Sequence, residues 1–133
     1  NTKCNYEVFL INVAYNGEDV GNDWAYSIKV QDGGFVNFAE HTVEPNSLDK
    51  SITKTSLYKK EVKCGDAVSL TLFVEATEID ATSNDVGNSS KVFSFKCDGG
   101  VYQTSVDVAI TDDTLINETA QLTFTFQIET KCG

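Results

Sequence analysis

The sequence predicts an all-β protein: an eight-stranded antiparallel Greek-key β-sandwich, stapled by disulfides and built from two tandem four-stranded repeats. Three observations support this prediction. Apolar residues alternate with polar ones in several segments, most regularly over residues 119–131, as in strands that bury one face. No segment shows a sustained helical period with caps. An internal repeat divides the chain into two halves of similar length.

The repeat is a self-match between the halves. Asp-Val-Gly-Asn followed by Asp-Gly-Gly occurs over residues 19–34 and again over residues 85–100. Lys-Cys-Gly also occurs near the end of each half. We therefore predict a tandem duplication of residues 1–66 and 67–133. Because four strands cannot bury two faces, we expect both halves to form a single domain over residues 1–133.

The alternation predicts four strands in each half. In chain order they cover residues 5–15, 24–31, 35–43, 52–63, 67–79, 91–97, 101–110 and 119–131. Both Asp-Gly-Gly elements are predicted to be tight hairpin turns, in which glycine supplies a positive φ. Residues 6–15 are apolar at odd and even positions alike, which predicts a central strand covered on both faces.

Charge and composition narrow the range of partners. The chain of 133 residues has a formal net charge of −10, and all 10 of its basic residues are lysine. This charge repels nucleic acid and anionic membranes, and the absence of arginine removes the side chain best suited to bidentate phosphate binding. No apolar run reaches the length of a transmembrane segment. We expect no nucleic-acid partner and no transmembrane segment. A multivalent cation, a basic partner or a role of the charge in solubility alone remain open, and the expected partner is a protein or a glycan.

Four cysteines are spread along the chain without a close pair, which favours disulfides over a zinc or redox motif. They are Cys4, Cys64, Cys97 and Cys132. Strand alternation places all four at one end of the sandwich, and a Greek key would set the strand before Cys64 beside the strand that begins at Cys4. Among the three possible connectivities this favours Cys4–Cys64 with Cys97–Cys132. A lysine precedes each cysteine, so we expect this end to be locally basic.

Disulfides predict a secreted, extracellular protein. The chain begins without a leader or an initiator Met, as expected of a mature protein after signal-peptide removal. Two sequons, at Asn88 and Asn117, are candidate N-glycosylation sites and fit an extracellular glycoprotein.

The end opposite the cysteines is predicted to be acidic. Its loops contain Glu18, Asp19, Asp23, Glu40, Glu44, Asp49, Glu78, Asp80, Asp85, Asp112, Asp113 and Glu118. Clustered carboxylates repel one another, and a divalent cation relieves that repulsion. The alternative is that Asp, Asn and Gly form ordinary turns and that the acidic loops maintain solubility.

Calcium is the best-defined candidate ligand, because hard cations bind carboxylate, amide and carbonyl oxygens on loops. The candidate calcium ligands are Asn16, Glu18, Asp19, Asn22, Asp23, Asp80, Asn84, Asp85, Asp112 and Asp113. Their spacing is not that of an EF-hand. Residues 19–26 loosely resemble the first calcium loop of C2 domains, but the aromatic residue lies one position late and the usual proline is absent. No residue role is transferred from that family.

A carbohydrate site is a second possibility. Trp24, the only tryptophan, lies beside the first acidic loop, and Tyr15 lies on the other side of that loop. Aromatic rings next to carboxylate and amide groups are candidate platforms for binding a sugar ligand. The alternative is that Trp24 anchors the core.

The sequence does not predict an enzyme. His41 is the only histidine and is expected at a solvated strand end, and neither G-x-S-x-G nor H-E-x-x-H occurs. The predicted function is a secreted, non-catalytic recognition or adhesion module that binds calcium, a glycan or a protein at its acidic end. The alternatives are a carbohydrate-binding module and a self-assembling extracellular fibre or coat subunit, since oppositely charged ends favour head-to-tail contacts.

Overall fold

A computed structural model describes residues 2–112 and 117–133. Within these ranges the chain forms nine strands, packed as two sheets. Their bounds are β1 (Lys3–Gly17), β2 (Asp23–Val30), β3 (Val36–Thr42), β4 (Ser47–Leu48), β5 (Thr55–Lys63), β6 (Ala67–Ile79), β7 (Asn84–Lys96), β8 (Val101–Thr111) and β9 (Thr119–Cys132). The described ranges contain no helix with the length and hydropathy needed to cross a membrane.

Sheet I has β1 at its centre. β5 and then β4 pair with one edge of β1, β9 pairs with the other edge, and β8 pairs with β9. Sheet II has the order β3–β2–β6–β7. Every pair is antiparallel. The predicted all-β antiparallel sandwich is therefore confirmed, and β4 is a two-residue addition to the eight predicted strands.

The strand pairing does not reveal the duplication. β1 pairs with β5 and β9, whereas β6, its expected counterpart, pairs with β2 and β7. The first Asp-Val-Gly-Asn lies in the β1–β2 loop, but the second lies inside β7, which begins at Asn84 instead of residue 91. Gly87 allows this early start, because a Cβ there would lie 2.1 Å from the carbonyl oxygen of Ala109 in β8. The duplication remains a prediction from the sequence.

The core lies between the inner faces of the two sheets. The alternating positions of β9 that were predicted to be buried are fully buried: Leu122, Phe124, Phe126 and Ile128. Burying such side chains contributes about 1.5–3 kcal/mol each. The face of the strand that carries them therefore turns inward, as the alternation in the sequence predicts.

The prediction that β1 is covered on both faces is wrong. The pairing of β1 with β9 shifts between Leu10 and Asn12, so Ile11 is an extra residue. Even-numbered residues up to Leu10 face the core, and after the shift the odd-numbered Val13 and Tyr15 do so. A β-bulge exchanges the two faces of a strand, which explains why apolar residues occur at both parities.

All four cysteines form disulfides at one end of the sandwich, but the favoured connectivity is wrong. The pairs are Cys4–Cys97, with Cα atoms 6.0 Å apart, and Cys64–Cys132, with Cα atoms 5.5 Å apart. β5 does lie beside β1, yet Cys64 follows the end of β5 and its N–H donates to Thr2 O. Cys4 is fully buried and faces the opposite sheet. Its sulfur therefore reaches Cys97 at the end of β7, and Cys64 pairs with the far end of β9.

Candidate metal site at the acidic end

The loops at the end opposite the disulfides are tied together by backbone hydrogen bonds. Glu18 N donates to Thr119 O at 3.0 Å, and Val43 N donates to Asn22 O at 2.9 Å. The loops that follow β1, β3, β6 and β8 therefore meet at one end of the sandwich, which we call the acidic end.

One carboxylate at the acidic end faces the core. Glu78 continues the row of alternate β6 positions that turn inward, and only 1% of its surface is exposed. Strand pairing places it directly opposite Trp24 of β2 on one side and Asp85 of β7 on the other. Opposite residues on one face of an antiparallel pair lie within side-chain contact. Glu78 and Asp85 therefore direct two carboxylates into one space.

Asp80 completes a cluster of three carboxylates. One oxygen from each of Glu78, Asp80 and Asp85 lies within 4.8 Å of the other two. The β6–β7 turn holds the cluster, because the Oδ1 atom of Asn84 accepts a hydrogen bond from Asp80 N at 3.3 Å. Across residues 2–112 and 117–133, no other three His, Cys, Asp or Glu side chains form such a group.

Protein donors satisfy the Glu78 carboxylate poorly. Its Oε2 atom accepts a hydrogen bond from Asp23 N at 3.3 Å. Its Oε1 atom is buried and has no hydrogen-bond partner among the described residues. Leaving such an acceptor unpaired costs about 1–3 kcal/mol. An oxygen of this kind among other carboxylates is well suited to a hard cation.

The β1–β2 loop closes over Glu78. Gly21 has a φ of +126°, and a Cβ at this position would lie 2.3 Å from Glu78 Oε2. The Tyr15 hydroxyl holds the loop in place, because it donates to Gly21 O at 2.7 Å and accepts from Val20 N at 3.0 Å. Only glycine lets the backbone approach the carboxylate this closely.

The electrostatics of the cluster favour a proton or a cation. Burial is the main cause that raises the pKa of Glu78, to about 7. The Asp23 N–H lowers this pKa, whereas the charges of Asp80 and Asp85 raise it. A bound divalent cation would favour the ionised carboxylate instead, because it supplies the missing positive charge.

Four of the ten predicted ligands lie at or next to the cluster. Asp80 and Asp85 belong to it, Asn84 supports its turn, and Asp23 contributes a backbone N–H. Among the described residues, those outside the cluster are Asn16, Glu18, Asp19, Asn22 and Asp112. Asp113 lies outside the described residues.

Two of the acidic side chains outside the cluster accept hydrogen bonds from backbone N–H groups. Glu18 Oε1 accepts from the N–H of Thr119 at 2.9 Å, and Asp19 Oδ1 accepts from the N–H of Gly21 at 2.9 Å. The Asp19 contact matches the alternative in which acidic residues serve as turn formers, whereas the Glu18 contact joins the β1–β2 loop to β9.

Glu78 was not among the predicted ligands, although a signal for it existed. Val74 and Ala76 precede it at the same parity, and the strand shows no irregularity in its pairing with β2 or β7. A carboxylate that continues a buried row must be paired, protonated or bound to a cation. The alternation in β6 therefore indicated a buried carboxylate at Glu78, which the acidic composition of the loops did not indicate.

The predicted carbohydrate platform is wrong. Trp24 and Tyr15 are both fully buried, and their rings pack edge to face with centroids 5.2 Å apart. Trp24 therefore anchors the core, as the alternative proposed. Tyr15 holds the loop over Glu78 instead of contacting a ligand.

His41 and Asp49 also differ from expectation. Asp49 was counted among the acidic loop residues, but its side chain is buried and accepts hydrogen bonds from Tyr26, Ser51 and His41. His41 does lie at the end of β3, but its side chain is only 18% exposed and contacts Asp49, so it is not a solvated residue. Its other ring nitrogen lies 2.7 Å from the backbone carbonyl oxygen of Ala39.

Comparisons with known proteins leave the family open. No protein-family model and no curated protein matches the chain. One similar solved structure is described as "Structure of a C2 domain"; it is 12% identical, the alignment covers 97% of this chain and 99% of that chain, and the TM-score is 0.37. A likeness this distant establishes no family and no ligand. The sandwich is defined by the strand pairing itself.

Proposed function

We propose that this protein is a secreted, non-catalytic recognition module that binds calcium at the Glu78–Asp80–Asp85 cluster. The observation that carries the proposal is the buried Glu78 Oε1 atom, which has no hydrogen-bond partner among the described residues and belongs to a cluster of three carboxylates. Two disulfides are consistent with an oxidising extracellular compartment, where free calcium is abundant.

Three protein carboxylates supply part of the six to eight oxygens that calcium prefers. The rest of the shell would come from water and backbone carbonyls. Such a site belongs with extracellular calcium modules, whose dissociation constants are on the order of 10⁻⁴–10⁻³ M. In about 10 mM calcium, binding at that affinity stabilises the folded state by about 1.4–2.7 kcal/mol.

A thermal unfolding series tests the proposal. We expect calcium to raise the Tm of the wild-type protein by several degrees, and a chelator to reverse the rise. Glu78→Gln removes a ligand charge and should abolish most of this response. Glu75→Gln is the matched control. Glu75 lies in the same strand on the opposite face, and its substitution removes the same charge.

Each outcome is informative. A wild-type Tm that calcium leaves unchanged would remove the calcium proposal. If calcium raised the Tm of the Glu78 and Glu75 variants equally, the effect would come from general charge screening and not from binding at the cluster. Magnesium at the same concentration distinguishes a calcium-selective site from a nonspecific one. It should raise the Tm less than calcium does at a selective site, because magnesium gives up its hydration water reluctantly.

A protein partner is a second candidate, favoured by the charge of the acidic end. Of the chain's 20 acidic residues, 12 belong to the segments that the sequence assigns to these loops, so a partner surface would have to be cationic. Self-association through oppositely charged ends is less favoured. Lys63, Lys96 and Lys131 are exposed at the disulfide end, but Asp66 and Asp98 lie next to them and reduce the positive charge. Sedimentation at high protein concentration and physiological salt would reveal self-association as a mass above that of the monomer.

A further inference from the structure

We propose that Asn117 is the N-glycosylation site of this protein and that the second sequon, at Asn88, is not used. This inference does not depend on calcium binding. Both sequons are in the sequence, and the structure separates them by backbone environment.

Asn117 lies in the β8–β9 loop at the acidic end. It is exposed and has a φ of +52°, a left-handed conformation that Asn adopts more readily than most residues. The backbone oxygen of the next residue, Glu118, accepts a hydrogen bond from Asp112 N at 2.8 Å, and Thr119 begins β9. The tripeptide therefore begins in a surface loop, which is where N-glycosylation sequons act as acceptors.

Asn88 lies in the middle of β7. The tripeptide of residues 88–90 pairs with residues 73–75 of β6 over its whole length. Just before it, the backbone of Gly87 lies close to Ala109 of β8. The side chain of Asn88 is exposed, so exposure alone does not distinguish the two sequons. The distinguishing feature is that the whole Asn88 tripeptide is held in a sheet.

The modification uses a lipid-linked oligosaccharide diphosphate and the transferase of the secretory pathway. The amide nitrogen of Asn117 forms a bond to the anomeric carbon of the oligosaccharide. The bond from that carbon to the diphosphate oxygen breaks, and the lipid diphosphate leaves. The amide nitrogen gives up one proton, so atoms and charge balance. The same compartment forms disulfides, and this chain has two.

The experiment is secretion from cultured eukaryotic cells behind a standard leader, followed by peptide mass spectrometry before and after enzymatic release of N-glycans. We expect the Asn117 peptide to carry a glycan and to contain Asp at this position after release, while the Asn88 peptide keeps an unmodified Asn. Asn117→Gln should remove the glycan from the intact protein, and Asn88→Gln should leave the intact mass shift unchanged.

A second variant keeps the test valid if Asn117→Gln is not secreted. Thr119→Ala retains Asn117 but destroys its sequon, so it should also remove the glycan. The intact mass without reductant confirms that both disulfides have formed in each variant. A glycan on Asn88, glycans on both sites, or secreted wild-type protein without any glycan would each overturn the proposal.

Discussion

The two buried acidic residues of the described chain are held in opposite ways. Asp49 is 4% exposed and Glu78 is 1% exposed. Asp49 accepts hydrogen bonds from Tyr26, from His41 and from both the backbone N–H and the hydroxyl of Ser51. Glu78 accepts one bond from a backbone N–H and otherwise faces other carboxylates. Both residues are buried, so the number of hydrogen-bond donors around each carboxylate determines whether it is stable as an ion or needs a proton or a cation.

The pKa values of the two groups follow this difference. Burial alone would raise the pKa of Asp49, but hydrogen bonds from Ser51, Tyr26 and His41 outweigh it and hold the pKa below its ordinary value. Burial raises the pKa of Glu78 to about 7, and its neighbours do not offset the shift. Asp49 therefore stabilises the fold as an ion, whereas Glu78 lacks a positive partner, which a ligand can supply.

The largest effect should come from removing the satisfied carboxylate. Asp49→Ala leaves the Tyr26 hydroxyl and the His41 ring without their acceptor, so we expect a loss of about 3–5 kcal/mol in the free energy of unfolding. Urea denaturation at neutral pH measures it. Asp107→Ala is the control, because Asp107 is exposed and accepts one bond from Thr123. If the two variants lost equal stability, the interpretation of Asp49 would fail.

In the absence of metal, Glu78→Gln should increase the free energy of unfolding, whereas Asp49→Ala should decrease it. Between about pH 4.5 and 7 the folded protein keeps a proton that the unfolded chain has released. The stability of the wild type therefore falls as the pH rises through this interval and then levels off. The amide cannot ionise, so the variant lacks this fall and should be more stable at pH 7 by roughly 2–3 kcal/mol.

Denaturation at pH 5 and pH 8 checks this prediction. Glu75→Gln should keep the wild-type pH profile, and a Glu78→Gln profile parallel to that of the wild type would argue against a raised pKa. Asp49 contributes to the profile only in acid, where stability is lost as the pH falls through its lowered pKa.

The smallest effect concerns the tyrosine beside each carboxylate. The Tyr26 hydroxyl donates to Asp49 itself, whereas the Tyr15 hydroxyl holds the loop that covers Glu78. Tyr15→Phe should cost about 1 kcal/mol in stability and should also reduce the calcium-induced rise in Tm. Tyr102→Phe, which removes one hydroxyl at the disulfide end, is the control and should leave the calcium response intact. An unchanged response in Tyr15→Phe would mean that the loop does not support the site.

Much of the fold could be predicted from local pattern. Alternation in β6 and β9 located their buried faces, because a strand with one core face repeats every two residues. The same rule failed for β1, where the extra residue Ile11 changes the parity. Nothing in the local sequence marks that position as a bulge.

The site was predicted only in part. Asp80 and Asp85 were included because acidic loops at one end follow from strand direction, while Glu78 was omitted because loop composition took precedence over its parity in β6. Trp24 was offered as a ligand contact, yet its size and apolar ring place it in the core.

The sequence by itself determined the positions of most strands, their packing as a sandwich and the separation of sulfur from negative charge, since chain direction and two-residue periodicity are local properties. Only the tertiary structure decided which cysteines pair, that Glu78 lies opposite Asp85, and that Asp49 has enough donors while Glu78 does not. Those outcomes depend on which strands become neighbours across and between the sheets. Contacts of that kind join residues far apart in the chain, and no local pattern encodes them.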